Sequence, residues 1–349
     1  MMEYEEGGAL AVFSSPECSQ WGFSPKSFEN STQNCDYATH QGRREYQEDR
    51  VTCNLDMKLP FSAEGSPGEI TVGIAAIFDG HGGQEASEMA SKKLADYFFL
   101  HVVFTAHNWT LSSNNESSRR SPVIGHHSLC SILEKSLLRT IKDIDLEFSK
   151  EALDKRYISG STATIVLLVN GKFLVANIGD SKALLCSRKN PSTHDTEGSS
   201  PGEIYTEELT RDHHPDREDE KARIEAFGGF VTKSSIPRVN GVLAVSRAIG
   251  DVYLKRYGVT AEPELTGWRP FTPENSFLIV TSDGVFETLA PENVCEIVHA
   301  IFESSSEDIT KSSLAEHIIR SAFRSGSTDN LSAIVISDML HTCKEKRCN

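Results

Sequence analysis

The stretch that decides the fold is STATIVLLVNGKFLVANIGDSKALLCS, residues 161–187. Two apolar runs rich in β-branched residues flank Asn170-Gly171, the dipeptide that favours a type I′ turn between antiparallel strands. A third apolar run, 182–187, follows after a short polar turn. Because tight turns of this kind join neighbouring antiparallel strands, the stretch predicts an antiparallel sheet.

Further strand and helix patterns extend in both directions from this hairpin. Strands are predicted where apolar residues run together, and helices where they recur every three or four positions. The sequence predicts strands at 69–78, 277–281 and 331–336, helices at 84–103, 129–148, 216–227, 291–302 and 314–323, and polar surface loops at 107–127 and 189–204. Since no repeat or linker divides this region, we expect one α+β domain.

The two ends of the chain differ in composition from its middle. Residues 1–34 are rich in Ser, Gly, Glu and Pro without periodicity, which predicts a flexible N-terminal arm. We expect the folded domain to span residues 35–338 and a short tail to span 339–349. The first ten residues contain three glutamates and no basic residue, so we expect no signal peptide.

Charge and composition exclude several classes of protein. Thirty-five basic and fifty acidic residues give a net charge of −15. No basic field is therefore available to bind nucleic acid or an anionic membrane surface. No apolar run approaches the ~18 residues of a membrane span. We expect no nucleic-acid partner, no membrane partner, a monomer, and a location in the cytoplasm or nucleus.

The eight cysteines are scattered along the chain. The sequence contains no C-x-x-C pair, so neither a zinc site nor a thioredoxin-like site is indicated. No cysteine is followed by an arginine six positions later, which excludes the phosphate-binding loop of cysteine-dependent phosphatases. We predict that most of them are buried apolar side chains or surface thiols.

Four aspartates adjoin apolar strands and are each next to Gly, Ser or Asn: Asp79, Asp180, Asp283 and Asp329. Asp79 and Asp283 follow the ends of their strands, whereas Asp329 precedes the start of its strand. In an antiparallel sheet those ends lie at the same edge, so we expect the carboxylates to converge. Each aspartate alone is equally well explained as a turn residue, because Asp and Gly are common in turns. The four together indicate a site.

Clustered carboxylates repel one another unless cations hold them together. Because no matching set of His or Cys accompanies them, these oxygen ligands favour Mg²⁺ or Mn²⁺ over zinc or copper. Gly80, directly after Asp79, lets its own carbonyl approach a metal ion closely. Gly82-Gly83 precedes the next predicted helix, whose N-terminus favours anions.

Eight motifs, taken in order, carry a resemblance to a known family. They are GRREYQED (42–49), FDGHGG (78–83), SGSTA (159–163), NIGDSKA (177–183), RVNG (238–241), LAVSRAIGD (243–251), TSDG (281–284) and STDN (327–330). Over residues 35–338 the chain resembles the metal-dependent protein serine/threonine phosphatases (the PPM family, type 2C), especially plant members. The resemblance implies a central antiparallel β-sandwich flanked by helices on both faces, with a two-metal site at one edge.

The resemblance also implies a role for each matching site residue. The residues implied to hold metal ions, directly or through water, are Asp79, Gly80, Asp283, Asp329, Glu48, Asp49 and Asp180. Asp79 would bridge two ions, the Gly80 carbonyl would bind the second of them, and Asp180 corresponds to a weaker third ion. Arg44 would grip the substrate phosphate, which suits its guanidinium fork. His81 matches the proposed general acid.

The implied activity is hydrolysis of phosphoserine and phosphothreonine in proteins by a water activated by two metal ions, without a phospho-enzyme. Two alternatives are a pseudophosphatase that binds or scaffolds phosphoproteins and a phosphatase for small phosphate esters. Against the first, Asp79, Asp283 and Asp329 are all present. Against the second, residues 238–251 match the protein phosphatases closely.

The chain departs from the family pattern at two places. Many members have Trp-Asp where this chain has Phe286-Glu287, and Glu287 can still hold a metal-bound water. The flap, residues 229–237, contains no tryptophan. The abscisic-acid co-receptor phosphatases have one there that contacts the receptor, so we do not expect that role for this chain.

Overall fold

The computed structural model describes residues 35–63, 66–114, 126–188, 204–233, 235–272, 275–304 and 313–337. The elements in chain order are β1 (Asp36–His40), β2 (Arg50–Ala63), β3 (Ser66–Phe78), β4 (Gly80–His81), α1 (Glu85–Asn114), α2 (His126–Lys155), β5 (Gly160–Ser161), β6 (Ala163–Val169), β7 (Lys172–Ile178), β8 (Lys182–Arg188), β9 (Ile204–Glu208), α3 (Glu218–Ala226), β10 (Ile249–Gly250), α4 (Val252–Lys255), β11 (Glu264–Leu265), β12 (Arg269–Pro270), β13 (Asn275–Thr281), α5 (Asp283–Phe286), α6 (Pro291–Ser304), α7 (Leu314–Arg324) and β14 (Leu331–Ile336). The predicted arm, the predicted tail and loop residues 115–125 and 189–203 lie outside these ranges.

Two antiparallel sheets form the centre of the fold. The first sheet has the strand order β1-β14-β13-β8-β9, and the second has the order β11-β7-β6-β3-β2, with β12 also paired to β7. Strands β6 and β7 form the predicted hairpin. Asn170 and Gly171 both have positive φ, 49° and 68°, which confirms the type I′ turn.

Helices cover the outer face of each sheet. Helices α1 and α2 pack on the second sheet, and α6 and α7 pack on the first. Alternation along the strands explains this layering, because successive side chains point to opposite faces. In β13, Phe277 and Ile279 face α6 and α7, whereas Leu278 and Val280 face the second sheet. The expected α+β sandwich with helices on both faces is confirmed. Among the described helices, none is long and apolar enough to cross a membrane.

A small subdomain lies between β9 and β11. Its core contains Ile224 from α3 together with Val239, Leu243 and Val259. Beside that core, the fully buried Glu220 accepts hydrogen bonds from several groups of the same subdomain. They are the guanidinium groups of Arg217, Arg223 and Arg247 and the hydroxyl of Ser246. Since a buried carboxylate is stable only when it is paired, this cluster ties α3 to the loop that precedes β10.

The element predictions differ from the structure in several places. Helix α1 continues to Asn114, so residues 107–114 of the predicted loop are helical. Strands β1, β2 and β9 were not predicted. Strand β2 nevertheless shows a half-buried pattern, with Leu55, Met57 and Leu59 buried and the residues between them exposed.

Two disulfides correct the prediction for the cysteines. Cys35 is bonded to Cys53, and Cys186 in β8 is bonded to Cys295 in α6. Cys130 is buried and keeps its thiol, as predicted. The pairs are 18 and 109 residues apart in sequence, and only the stacking of sheet on sheet and helix on sheet brings each pair together. Spacing alone does not reveal such pairs.

Candidate active site

One cavity of about 640 Å³ brings together eight of the nine predicted site residues. They are Arg44, Glu48, Asp79, Gly80, His81, Asp180, Asp283 and Asp329. The strands that precede Asp79 and Asp283 belong to different sheets. The expectation that one sheet edge gathers the carboxylates is therefore incomplete, because the ends of strands from both sheets contribute.

The Asp79–Gly80 turn is held rigidly by its neighbours. The Asp79 carbonyl accepts a hydrogen bond from the Thr162 amide at 2.9 Å, and the Asp79 amide donates to Thr162 Oγ1 at 3.2 Å. A Cβ atom on Gly80 would lie 2.5 Å from the Glu48 carbonyl oxygen. Glycine is thus the residue that lets this turn approach the segment that carries Glu48.

The electrostatics of the cavity show that its carboxylates are crowded. Burial raises the pKa of Asp79 well above its usual range, and the charges of Asp283, Asp49 and Asp180 raise it further. Burial and the nearby charge of Asp283 raise the pKa of both Asp49 and Asp180 to about 7. The pKa of Asp283 is raised by burial and by Asp329, although its hydrogen bond with Asp79 acts in the opposite direction.

These residues fit divalent cations by their chemistry. Among the described residues, no group of three or more His, Cys, Asp or Glu side chains is arranged to hold a metal ion as it stands. Asp79 and Asp283 instead share a hydrogen bond, and Arg44 Nη2 lies 2.5 Å from Asp329 Oδ2. Crowded, buried carboxylates with raised pKa values are stabilised by a cation, and oxygen ligands suit Mg²⁺ or Mn²⁺.

Glu48 and Asp49 occupy different positions relative to the cavity. Glu48 lines it, and its carboxylate accepts a hydrogen bond from the Gly83 amide, just before α1, at 2.6 Å. Asp49 does not line it. Its side chain is only 2% exposed and accepts a hydrogen bond from Ser332 Oγ at 2.7 Å. Asp49 therefore lies behind the other carboxylates and acts on them through its charge.

Arg44 lies at the mouth of the cavity, with 55% of its side chain exposed. Gly42 starts its turn with φ at +64°, and a Cβ atom there would lie 1.7 Å from the Asp329 carbonyl oxygen. The segment that carries Gly42 and Arg44 therefore touches the Asp329 turn through its backbone. The side chain of Asn330 adds to this contact, because its Nδ2 donates to the carbonyls of Gln41 and Tyr46.

His81 forms a hydrogen-bonded pair with Asp251, Nε2 to Oδ2 at 2.7 Å. Burial alone would lower the pKa of His81, but the charge and hydrogen bond of Asp251, together with the charges of Asp180 and Glu48, raise that pKa overall. Asp251 was not assigned a role from the sequence, and neither was Thr162. Asp251 has a positive φ of 48°, and both residues stand inside the motifs quoted above. Asp251 contacts His81 across 170 residues of sequence, and Thr162 contacts Asp79 across 83 residues. Local sequence patterns do not reveal contacts between such distant positions.

The carboxylate of Glu287 is hydrogen-bonded to the turn that precedes Asp329. Its carboxylate accepts hydrogen bonds from the Thr328 amide at 2.7 Å and from Ser327 Oγ at 3.0 Å. It does not line the cavity. Glu287 thus supports the turn that precedes Asp329.

Comparisons with known proteins agree with this architecture. The family model of protein phosphatase 2C matches residues 34–331. A probable protein phosphatase 2C 51 of Arabidopsis thaliana is 40% identical over 95% of this chain and 77% of its own length. A putative protein phosphatase 2C 76 of Oryza sativa subsp. japonica is 38% identical over 95% of this chain and 83% of its own length. The crystal structure of a serine-threonine phosphatase 2C from Toxoplasma gondii matches with a TM-score of 0.66 at 23% identity, over 88% of this chain and 96% of that one.

This chain belongs to the protein phosphatase 2C family, which confirms the resemblance read from its eight motifs. It is a plant-like member and a protein serine/threonine phosphatase, a metal-dependent hydrolase whose substrates are phosphoproteins.

Proposed function

We propose that the enzyme hydrolyses phosphoserine and phosphothreonine by direct attack of a water on phosphorus, with two divalent cations in the cavity and no phospho-enzyme intermediate. One observation carries this proposal: eight predicted residues, dispersed from position 44 to position 329, line a single cavity. A chance grouping of turn aspartates would not bring Arg44 and His81 to the same place.

Asp79, Asp283 and Asp329 and the carbonyl of Gly80 are the groups that would hold two ions of Mg²⁺ or Mn²⁺. Asp180 would contribute to a weaker third. When bound, such ions lower the pKa of a water and neutralise charge on the phosphoryl oxygens. Glu48 and Asp49 add negative charge beside the ligands and accept hydrogen bonds from water or from protein groups.

Arg44 and His81 both line the cavity and have different roles toward the substrate. The exposed guanidinium of Arg44 offers paired N–H donors to two phosphoryl oxygens. His81 donates a proton to the departing seryl or threonyl oxygen, and Asp251 orients the ring and favours its protonated form. The leaving alkoxide is thereby neutralised as the P–O bond breaks.

Covalent catalysis by a thiol has no support in the described part of the chain. Its cysteines are in two disulfides or, for Cys130, buried in α2. None lines the cavity. The lack of a described cysteine at the cavity supports a water as the attacking group over a thiol.

The test is turnover of a phosphoserine peptide under three treatments. Excess EDTA should abolish activity, and added Mn²⁺ or Mg²⁺ should restore it, whereas thiol alkylation should leave it intact. Acid quenching during turnover of a ³²P-labelled peptide should trap no labelled protein. Full turnover in EDTA, loss on alkylation, or labelled protein after the quench would each refute the proposed mechanism.

A further inference from the structure

The cavity has a second wall that is apolar and open to solvent. Ile158, Val242 and Tyr253 line it and are 69%, 63% and 47% exposed. Scattered surface hydrophobic residues are ordinary, but exposed apolar residues that share one concave site mark a binding surface. We call these three residues the apolar wall.

Separate local structures hold the three side chains in place. Ile158 follows Tyr157, whose ring stacks on Phe148 and whose amide donates to the Ala152 carbonyl. Because Tyr157 faces inward, the next side chain is directed outward. Val242 lies in a tight turn in which its amide donates to the Val239 carbonyl at 2.9 Å.

The third member of the wall, Tyr253, lies on the short helix α4, whose first residue directly follows Asp251, the partner of His81. Arg238 also lines the cavity, and its Nη1 donates to the Val242 carbonyl at 2.6 Å. The wall is thus formed before any ligand arrives, which lowers the entropic cost of binding.

The size of the cavity indicates what the wall contacts. A volume of about 640 Å³ is in the range that holds a drug-sized ligand, and a single phosphorylated side chain fills only part of it. The carboxylates and the apolar wall line the same cavity. A ligand whose phosphate lies among the carboxylates therefore leaves room in the cavity for a neighbouring group against the wall.

We propose that the apolar wall binds an aliphatic side chain of the substrate, within two residues of the phosphoserine or phosphothreonine. The proposal rests on the proposed function, since it takes the substrate to be a phosphopeptide. It assigns a sequence preference to the enzyme: Leu, Ile or Met near the phosphorylated residue is favoured over Ser or Asp. The apolar side chain leaves water for the wall, while the phosphoryl group enters among the cations and Arg44.

The first experiment uses the unaltered enzyme. Phosphoserine peptides of one length carry either Leu or Ser at each of the positions −2, −1, +1 and +2, and kcat/KM is measured for every pair at saturating Mn²⁺. We expect Leu to exceed Ser by about 10-fold at one or two of these positions. Equal values at all four positions would overturn the proposal, whereas no turnover of any peptide would instead refute the proposed function.

The second experiment assigns the preference to the wall. In Val242→Ser and Tyr253→Ser, the ratio of kcat/KM for the preferred Leu peptide to that for its Ser partner should fall toward one. Leu153→Ser is the matched control, because Leu153 is an equally exposed leucine on α2 outside the cavity, and it should keep the full ratio. A ratio that survives in both wall variants would overturn the assignment. An equal fall of this ratio in Leu153→Ser would overturn the assignment as well.

Discussion

Gly42→Ala is the change that tests most directly how the Arg44 segment and the Asp329 turn are built together. The new Cβ atom would lie 1.7 Å from the Asp329 carbonyl oxygen, whereas real Cβ contacts do not fall below 3.0 Å. The carbonyl must therefore move by about 1.3 Å, and the Asp329 carboxylate must move with it. In addition, φ at residue 42 is +64°, where a residue with a side chain costs about 1–2 kcal/mol.

The expected magnitude follows from that displacement. Misplacing a catalytic group by ~1 Å can cost about 10²-fold in rate. We therefore expect kcat/KM on a phosphoserine peptide to fall by about 10²-fold or more. The Mn²⁺ concentration for half-maximal activity should rise, since Asp329 is a proposed ligand. The free energy of unfolding, measured in urea, should fall by at least the cost of the backbone strain.

Gly171→Ala is the matched control for this experiment. Gly171 has nearly the same φ, +68°, but an added Cβ atom there has nothing within 4 Å. Gly171→Ala should lose about 1–2 kcal/mol of stability and keep the activity of the unaltered enzyme, whereas Gly42→Ala should lose at least that much stability. If Gly42→Ala were as active as Gly171→Ala, the contact between the two segments would not position Asp329, and the reasoning would fail.

Three further substitutions examine the site and its support. His81→Gln should lower kcat on a phosphoserine peptide by ~10²–10⁴-fold but affect p-nitrophenyl phosphate far less, because a phenolate leaves without a proton. Equal losses on both substrates would mean that His81 positions other groups. Asp283→Asn should lower kcat by orders of magnitude while circular dichroism shows an intact fold, since it removes a ligand charge but also a repulsion; near-normal turnover at saturating Mn²⁺ would contradict this. Glu220→Gln should lower the free energy of unfolding by about 3–5 kcal/mol because it removes the buried charge that Arg217, Arg223 and Arg247 share. Asp219→Asn, with its side chain 57% exposed, should cost at most about 1 kcal/mol. The arginines hold the pKa of Glu220 well below its usual range, so its stabilisation is present above about pH 4.5 and is lost as the pH falls further. Equal urea midpoints for the two variants would show that the cluster does not stabilise the subdomain.

The strongest features of the fold were predictable because they are local. Asn170-Gly171 fixes a hairpin through the φ values that these residues tolerate, and the last strand, 331–336, is one continuous apolar run. Strand β2 was missed although its alternating pattern was available, because acidic and basic residues separate its apolar positions. The disulfides were missed for a different reason, since sheet packing alone brings their cysteines together.

The residues of the site also divide into those that the local sequence marks and those that it does not. Asp79, Asp180, Asp283 and Asp329 were found because each adjoins the end of a strand. The resemblance supplied Arg44, Glu48, Asp49 and His81, which no periodicity marks. The arrangement around them depends on contacts between distant segments, such as Asp251 with His81 and Thr162 with Asp79. Such contacts follow from the packing of the whole domain, so the sequence alone did not reveal them.

The order of strands in the first sheet has a consequence for the protein as it is synthesised. Strand β14 lies between β1 and β13, so until residues 331–336 have left the ribosome β1 has no partner in this sheet and β13 is paired only with β8. Asp329 emerges immediately before them. A nascent chain that stops earlier therefore has two unpaired strand edges and no complete set of carboxylates. We therefore expect chains that end before Asp329 to aggregate readily through these open edges and, because Asp329 is a proposed metal ligand, to lack phosphatase activity.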